Sequence, residues 1–203
     1  TTTNVALNSN VTTTGSTITF KSPVTLGADV QIHAGTANIK FEGIIDSATS
    51  AGKSLRLTGN ATFDGAVGSG QALGALNIAG STTINADITT NNAAITFQSN
   101  VTLGENVTIN SQDGDITFNG GVSGDTRDLT LDAGTEGKIT VDGAVNLNNL
   151  ELTNATEAVF NGNVVVNDMI TEMTVTKVRL YGSENRFADG VNFRNDGIVY
   201  LGN

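Results

Sequence analysis

Carboxylates close together in the chain are the residues best suited to chemistry here: Glu42 with Asp46, Asp113 with Asp115, and Asp125 with Asp128, beside single aspartates at Asp64 and Asp142. Two carboxylates on one face can divide acid and base roles in cleaving a glycosidic bond, and oxygen clusters of this kind also ligate Ca2+. QDGD, Gln112 to Asp115, and SGDTRD, Ser123 to Asp128, are the candidate Ca2+ sets, through Asp113, Asp115, Asp125 and Asp128. Neither has the spacing of an EF-hand or of the Ca2+-binding nonapeptide, so solvated loops without metal or cofactor are expected. Asp64 and Asp142 precede glycine in the matching stretches FDGAV and VDGAV, which reads as turn chemistry. His33 is the only histidine and there is no cysteine, so no nucleophilic triad can be assembled. The chain is read as non-enzymatic.

Binding chemistry concentrates near the carboxyl end, where Arg179, Tyr181, Arg186 and Phe187 are followed by Phe193, Arg194 and Tyr200. Such a cluster can hold a ligand, pack against further polypeptide, or shield an open sheet end; packing or capping is expected, because repeat arrays need their ends covered. Asn-x-Thr sequons occur at Asn10, Asn60, Asn100, Asn106 and Asn154, and glycosylation there is an open question.

What would position these groups is written in the composition. Thr and Asn are abundant, Gly is high at 24 residues, there is one Pro, and charged residues make up only 15%, which favours strands and turns over helices. Hydrophobic content of 38% calls for a packed core. The net charge of −10 argues against nucleic acid or an anionic membrane surface as partner, and no apolar run is long enough to insert in a membrane. The start, TTTNVALN, is not a signal peptide, so either a leader was removed or this is a piece of something longer. Lack of Cys suits a cytosolic protein, and equally a secreted one that crosses a narrow pore unfolded.

The strongest signal is repetition. ITFKSPVTLGADVQI, Ile18 to Ile32, returns as ITFQSNVTLGENVTI, Ile95 to Ile109, an offset of 77 that also links Leu7 to Ile84 and Gly43 to Gly120. With small insertions in DSATSAGK and AGTEGK, SLRL at Ser54 matches DLTL at Asp128. The units read as about 1–77, about 78–154 and a partial 155–203, in which 167–190 is a degenerate coil or an insertion, all within one domain over 1–203. Inside each unit, triplets such as ITF, VTL, IKF and LRL put apolar residues in and a polar centre out.

An antiparallel sandwich also uses short strands, but it needs no internal repetition. The expectation is an all-β, right-handed parallel β-helix (a β-solenoid) of about ten short coils, each of about 19 residues, so that four coils make one repeat. A flat Thr array matched to an ice lattice is not expected, because the outward centres change from Thr to Gln, Lys, Arg and Asn along the chain.

Stretches such as VTLGADVQI, SLRLTG, ATFDGAVG and LGALNIAGSTTINADITT, with VTLGENVTI, GDITFNGGVSG and GKITVDGAV, resemble the filamentous-haemagglutinin-like repeat regions of large bacterial exoproteins and adhesins, over residues 1 to 167 and more weakly beyond. The resemblance implies a β-helical shaft, secreted or exposed at the bacterial cell surface, serving adhesion, biofilm or cell contact. It implies a host or neighbouring-cell surface protein or glycan as partner. Two alternatives stand beside it: a polysaccharide-active β-helix enzyme, and a filament subunit associating end to end.

Overall fold

A computed structural model describes residues 3–202; residues 1, 2 and 203, the extremes of the single domain read from the sequence, lie outside it. Among the described residues there is no helix, and none that could cross a membrane. The chain winds into a parallel β-solenoid of about nine turns, each of about 21 residues. Three ladders of parallel strands form three faces. The first carries Ile32, Leu57, Ile78, Phe97 and Phe118 in successive coils and ends at Leu180 and Leu201. The second carries Phe20, Phe41, Phe63 and Ile84 and ends at Val166 and Phe187. The third carries Val5, Val24, Ile45 and Val67 and ends at Thr171 and Phe193.

Strands form where the triplets predicted them because alternation leaves one polar residue per side to face water. Val24–Leu26, Ile95–Phe97 and Ile116–Phe118 bury their first and last residues and leave the centre at the surface. The buried apolar residues stack coil on coil into one continuous core. Phenylalanines stack directly: Phe20 on Phe41 at 4.9 Å and Phe41 on Phe63 at 5.6 Å between ring centres, nearly parallel, and Phe97 on Phe118 at 4.9 Å.

Coil length corrects the expected number, and the correction changes what the repeat means. Ile18 pairs with Ile39, Ile39 with Ala61 and Ala61 with Thr82, all on the second face, so three coils take the chain to Thr82. Its twin Ile95 lies two further sides on, in the first face, paired with Leu76 and Ile116. The repeat is therefore three coils and two sides, not four coils. Every twin moves the same way: Val24–Leu26 lies on the third face and Val101–Leu103 on the second, while Val30–Ile32 lies on the first and Val107–Ile109 on the third. The stacked phenylalanines move with it, from the second face to the first. The second copy is thus turned by one face about the axis. Both insertions, by contrast, fall at the same corner, between the third and first faces: turns at 48–51 and at 134–136. The step from Val30 to Leu55 swells to 25 residues there, while Leu76 to Ile95 takes 19.

Glycines act at corners in two ways. Gly134 has φ +67° and a Cβ there would lie 1.2 Å from the Gln112 carbonyl oxygen. Gly143, in the VDGAV corner, has no positive φ; its demand is close approach, since a Cβ would meet the Gly121 nitrogen at 2.3 Å. The segment 167–190 runs as coil: Val164–Thr171 pairs with Arg186–Phe193, with one register shift between Val166 and Asp168, and Lys177–Leu180 pairs with Glu157–Phe160 and Ile198–Leu201. Its sequence departs from the repeat, but it keeps apolar residues at the inward positions Met169, Val178 and Leu180.

Inward and outward neighbours are expected to differ sharply in urea unfolding. Phe118→Ala, which opens a cavity in the core, loses about 3–5 kcal/mol, whereas Thr117→Ala beside it stays within about 0.5 kcal/mol; equal losses would contradict the assignment of faces.

Candidate functional site

The aspartates offered for catalysis or metal binding are drawn into one recurring contact between coils. Asp113 Oδ1 accepts from the backbone N–H groups of Thr135 at 2.8 Å and Glu136 at 3.3 Å in the next coil, and Asp115 Oδ1 accepts from Lys138 N–H at 2.8 Å. Asp125 accepts from Asn146 Nδ2 at 2.8 Å, and Asp128 accepts from Asn148 Nδ2 at 2.7 Å and Asn106 Nδ2 at 3.1 Å. Asp142 accepts from Asn161 Nδ2 at 2.7 Å. Asp46 takes the N–H groups of Gly70 at 3.0 Å and Gln71 at 3.2 Å. The members of each pair thus serve separate donors, and among the described residues no group of three or more acidic or histidine side chains converges as a metal site.

The contacts have a direction. In most of them a side-chain oxygen on one coil receives an N–H from the coil that follows it. The sequon asparagines join in: Asn10 Oδ1 accepts from Gln31 N–H at 2.8 Å, Asn60 from Ser81 at 3.1 Å, Asn100 from Gly121 at 2.9 Å and Asn106 from Asp128 at 3.1 Å. Asn154 instead donates to Asp132 at 3.0 Å. The amides of Gln31, Ser81 and Gly121 sit at or beside the start of a strand, and that of Asp128 sits where the ladder resumes after a register shift inside Val122–Asp132; at each a backbone donor needs an acceptor.

Charged groups pair along the axis. Lys40 lies 2.8 Å from Asp64 in the next coil and 3.8 Å from Glu42, and this holds the Asp64 carboxyl below its ordinary range and Lys40 above its own. On the first face Glu157 gathers three cations: Arg179 at 2.7 Å, and Lys138 and Lys177 at 3.7 Å each. The Arg179 hydrogen bond lowers the Glu157 carboxyl below its ordinary value, against partial burial that pushes it up. Arg179 also donates to Tyr181 Oη at 2.8 Å and lies 4.3 Å from the Tyr200 ring centre.

The carboxyl-terminal cluster does not form one surface. Arg179, Tyr181 and Tyr200 belong to the first face, while Arg186 and Phe187 lie on the second, where Phe187 packs half-buried over Val166. Arg186 and Phe187 line an open groove of about 550 Å³ with Asn167 and Asn185. A second groove, about 490 Å³, runs along the third face over Thr108, Thr130, Glu151 and Ile170, edged by Asp87, Asn106, Asp128, Asn149 and Asp168. His33 continues the first-face ladder between Thr12 and Thr58.

Two features escaped the sequence reading. Glu157 as a hub was hidden because Lys138, Lys177 and Arg179 are each about one coil away, and coil length varies. Outward centres that change along the chain also sort by face: on the second face Thr62, Thr83, Thr102 and Ser123 stand in file. The last two hydroxyls are 3.4 Å apart. No family model, no curated protein and no solved structure matches this chain.

Asp113→Ala removes an acceptor from exposed amides and is expected to cost about 0.5–1.5 kcal/mol, while Asp113→Asn, which keeps an oxygen there, costs less; Ca2+ should leave the melting temperature of the parent chain unchanged, and a rise on adding it would reinstate a metal site. Glu157 sets a pH dependence: its folded value is depressed, so its contribution is present above the ordinary glutamate value of 4.5 and fades as pH falls through the lower folded value. In acid titrations monitored by circular dichroism, Glu157→Gln should flatten that part of the profile; an unchanged profile would remove Glu157 from the account.

Proposed function

We propose that this chain is a non-catalytic shaft segment of a large secreted or surface-exposed bacterial protein, holding adhesive or display elements away from the cell. The observation that carries this reading is the commitment of the candidate aspartates to amides of neighbouring coils. A carboxylate tied to a backbone N–H at 2.8–3.0 Å serves the stack, and it is poorly placed to exchange protons with a substrate.

The division of labour between faces supports the same reading. Inward residues recur between twins because they must stack, whereas outward ones drift: Lys21 against Gln98, Asp29 against Asn106, Gln31 against Thr108. Contact with a surface protein or glycan on a host or neighbouring cell then falls to the outward residues. The groove along the third face offers hydroxyl, amide and carboxylate groups in file for such contact. About nine coils at about 4.8 Å give a rod roughly 45 Å long. A rod of that kind suits spacing better than enclosure of a substrate.

Beads coated with the purified chain should be retained on bacterial or host cell surfaces or on immobilised glycans, and Thr130→Arg with Glu151→Arg on the third face should reduce retention several-fold. Incubation with acidic and neutral polysaccharides should release neither reducing ends nor unsaturated sugars. Turnover of any of them, or failure to be retained on every surface tried, would overturn the proposal.

A further inference from the structure

Two of the grooves on the rod are one feature written twice. Besides the third-face groove over Thr108, Thr130 and Glu151, a smaller one of about 300 Å³ lies on the first face, over Gln31, Arg56 and Asn77. Val30, Leu55 and Leu76 run in register beneath the smaller groove, and Val107, Leu129 and Leu150 beneath the larger. Edge residues match as well, Asn10 with Asp87 and Asp29 with Asn106. Each copy of the repeat therefore builds the concavity at the same place, and the one-face turn carries it to a new side. Along the axis the coils of Val11 and Ile95 flank the first-face groove on either side.

Chemistry is what differs between the twins. Four carboxylates line the third-face groove, Asp87, Asp128, Glu151 and Asp168, with no lysine or arginine among its described lining residues. The first-face groove has one, Asp29, and gains Arg56. Asp29 Oδ1 is committed to Ser54 N–H at 2.9 Å, and among the described residues Arg56 makes no ion pair. Gln31 and Asn77 are the outward centres one coil before and one coil after Arg56. No side-chain hydrogen bond among the described residues engages any of the three. In a chain whose asparagines and aspartates mostly brace the next coil, three uncommitted polar side chains stand in file here over an apolar floor of Val30, Leu55 and Ala75.

We infer, on the reading of the outward faces as contact surfaces, that the first-face groove binds an acidic sugar of a surface glycan, with Arg56 as the anchor of its carboxylate. A guanidinium offers parallel N–H groups that match the two oxygens of a carboxylate. Carboxamides donate and accept, as sugar hydroxyls do, and Gln31 and Asn77 stand about 4.8 Å along the axis to either side of Arg56. The apolar floor suits the C–H face of a sugar ring. An acidic peptide fits less well. Extended peptides join a sheet chiefly through an open edge, and the strands beneath this groove, Val30–Phe41, Leu55–Phe63 and Leu76–Ile78, are already paired on both sides.

Calorimetric titration of the 203-residue chain with oligogalacturonate, hyaluronate oligosaccharides and sialyllactose, each beside its carboxyl methyl ester, tests this at low salt, where charge pairing is least screened. At least one acid form should bind, and its ester should bind at least about tenfold more weakly. Arg56→Gln should weaken the acid form to the level of the ester, Arg56→Lys should keep part of the affinity, and the melting temperature should hold in both, because Arg56 is exposed. Glu151→Gln in the twin groove should leave the affinity unchanged. Binding of none of the acid forms, equal binding of the esters, or an Arg56→Gln chain that binds as before would overturn the inference. Tighter binding of polyglutamate than of every sugar would overturn it in favour of an acidic peptide. Retention on cells that depends on Thr130 and Glu151 but not on Arg56 would overturn it too, and would leave the reading as a shaft standing.

Discussion

Strands of each inner coil have their backbone hydrogen bonds answered by the coils before and after, so a residue on a side has a counterpart at the same place about 4.8 Å along the axis, while the corners absorb the differences in coil length. That spacing governs the rest. Inward positions must accept a like-shaped neighbour above and below, which aliphatic side chains and flat rings do well and a charge does not. Corners must let two backbones pass closely, and Gly143 lies where a side chain would strike the coil beneath. Outward positions are freed from these demands, and there composition wanders.

Asparagine and aspartate do a second job that follows from the same spacing. A strand's first amide has no full ladder partner, and a short side chain from the preceding coil supplies the oxygen. Either residue serves, which is why Asp113 and Asn100 do equivalent work in different coils. It also explains why twins exchange Asp29 for Asn106 while each keeps a bond to the coil above, to Ser54 and to Asp128. Acidic residues in such a protein report architecture before they report chemistry.

Much of the fold was legible because its rule is local. ITF, VTL and LRL announce in, out and in without reference to distant residues, and the repetition distinguishes a solenoid from a sandwich. Phase was not legible. Reading 77 residues as four coils presumed that a repeat must return to its own face, but three sides obeying one rule are interchangeable, and a repeat need only contain whole sides. Site residues suffered for the same reason. Arg179 and Arg186 are seven residues apart and look like one patch, yet seven residues is about one side, and they face different ways. Contacts such as Glu157 with Lys138 depend on coil lengths that vary at the corners, which no fixed offset captures.

The one-face turn between the two copies of the repeat bears on valency. Duplicating a segment usually doubles a contact patch along one line, so that a single flat partner can grip both halves at once and gain avidity. Here a patch around Gln31 and its twin around Thr108 point about a third of a turn apart, and a planar surface meeting one turns away from the other. Duplication in this rod spreads contacts around the circumference, which favours bridging separate neighbours over clinging harder to one.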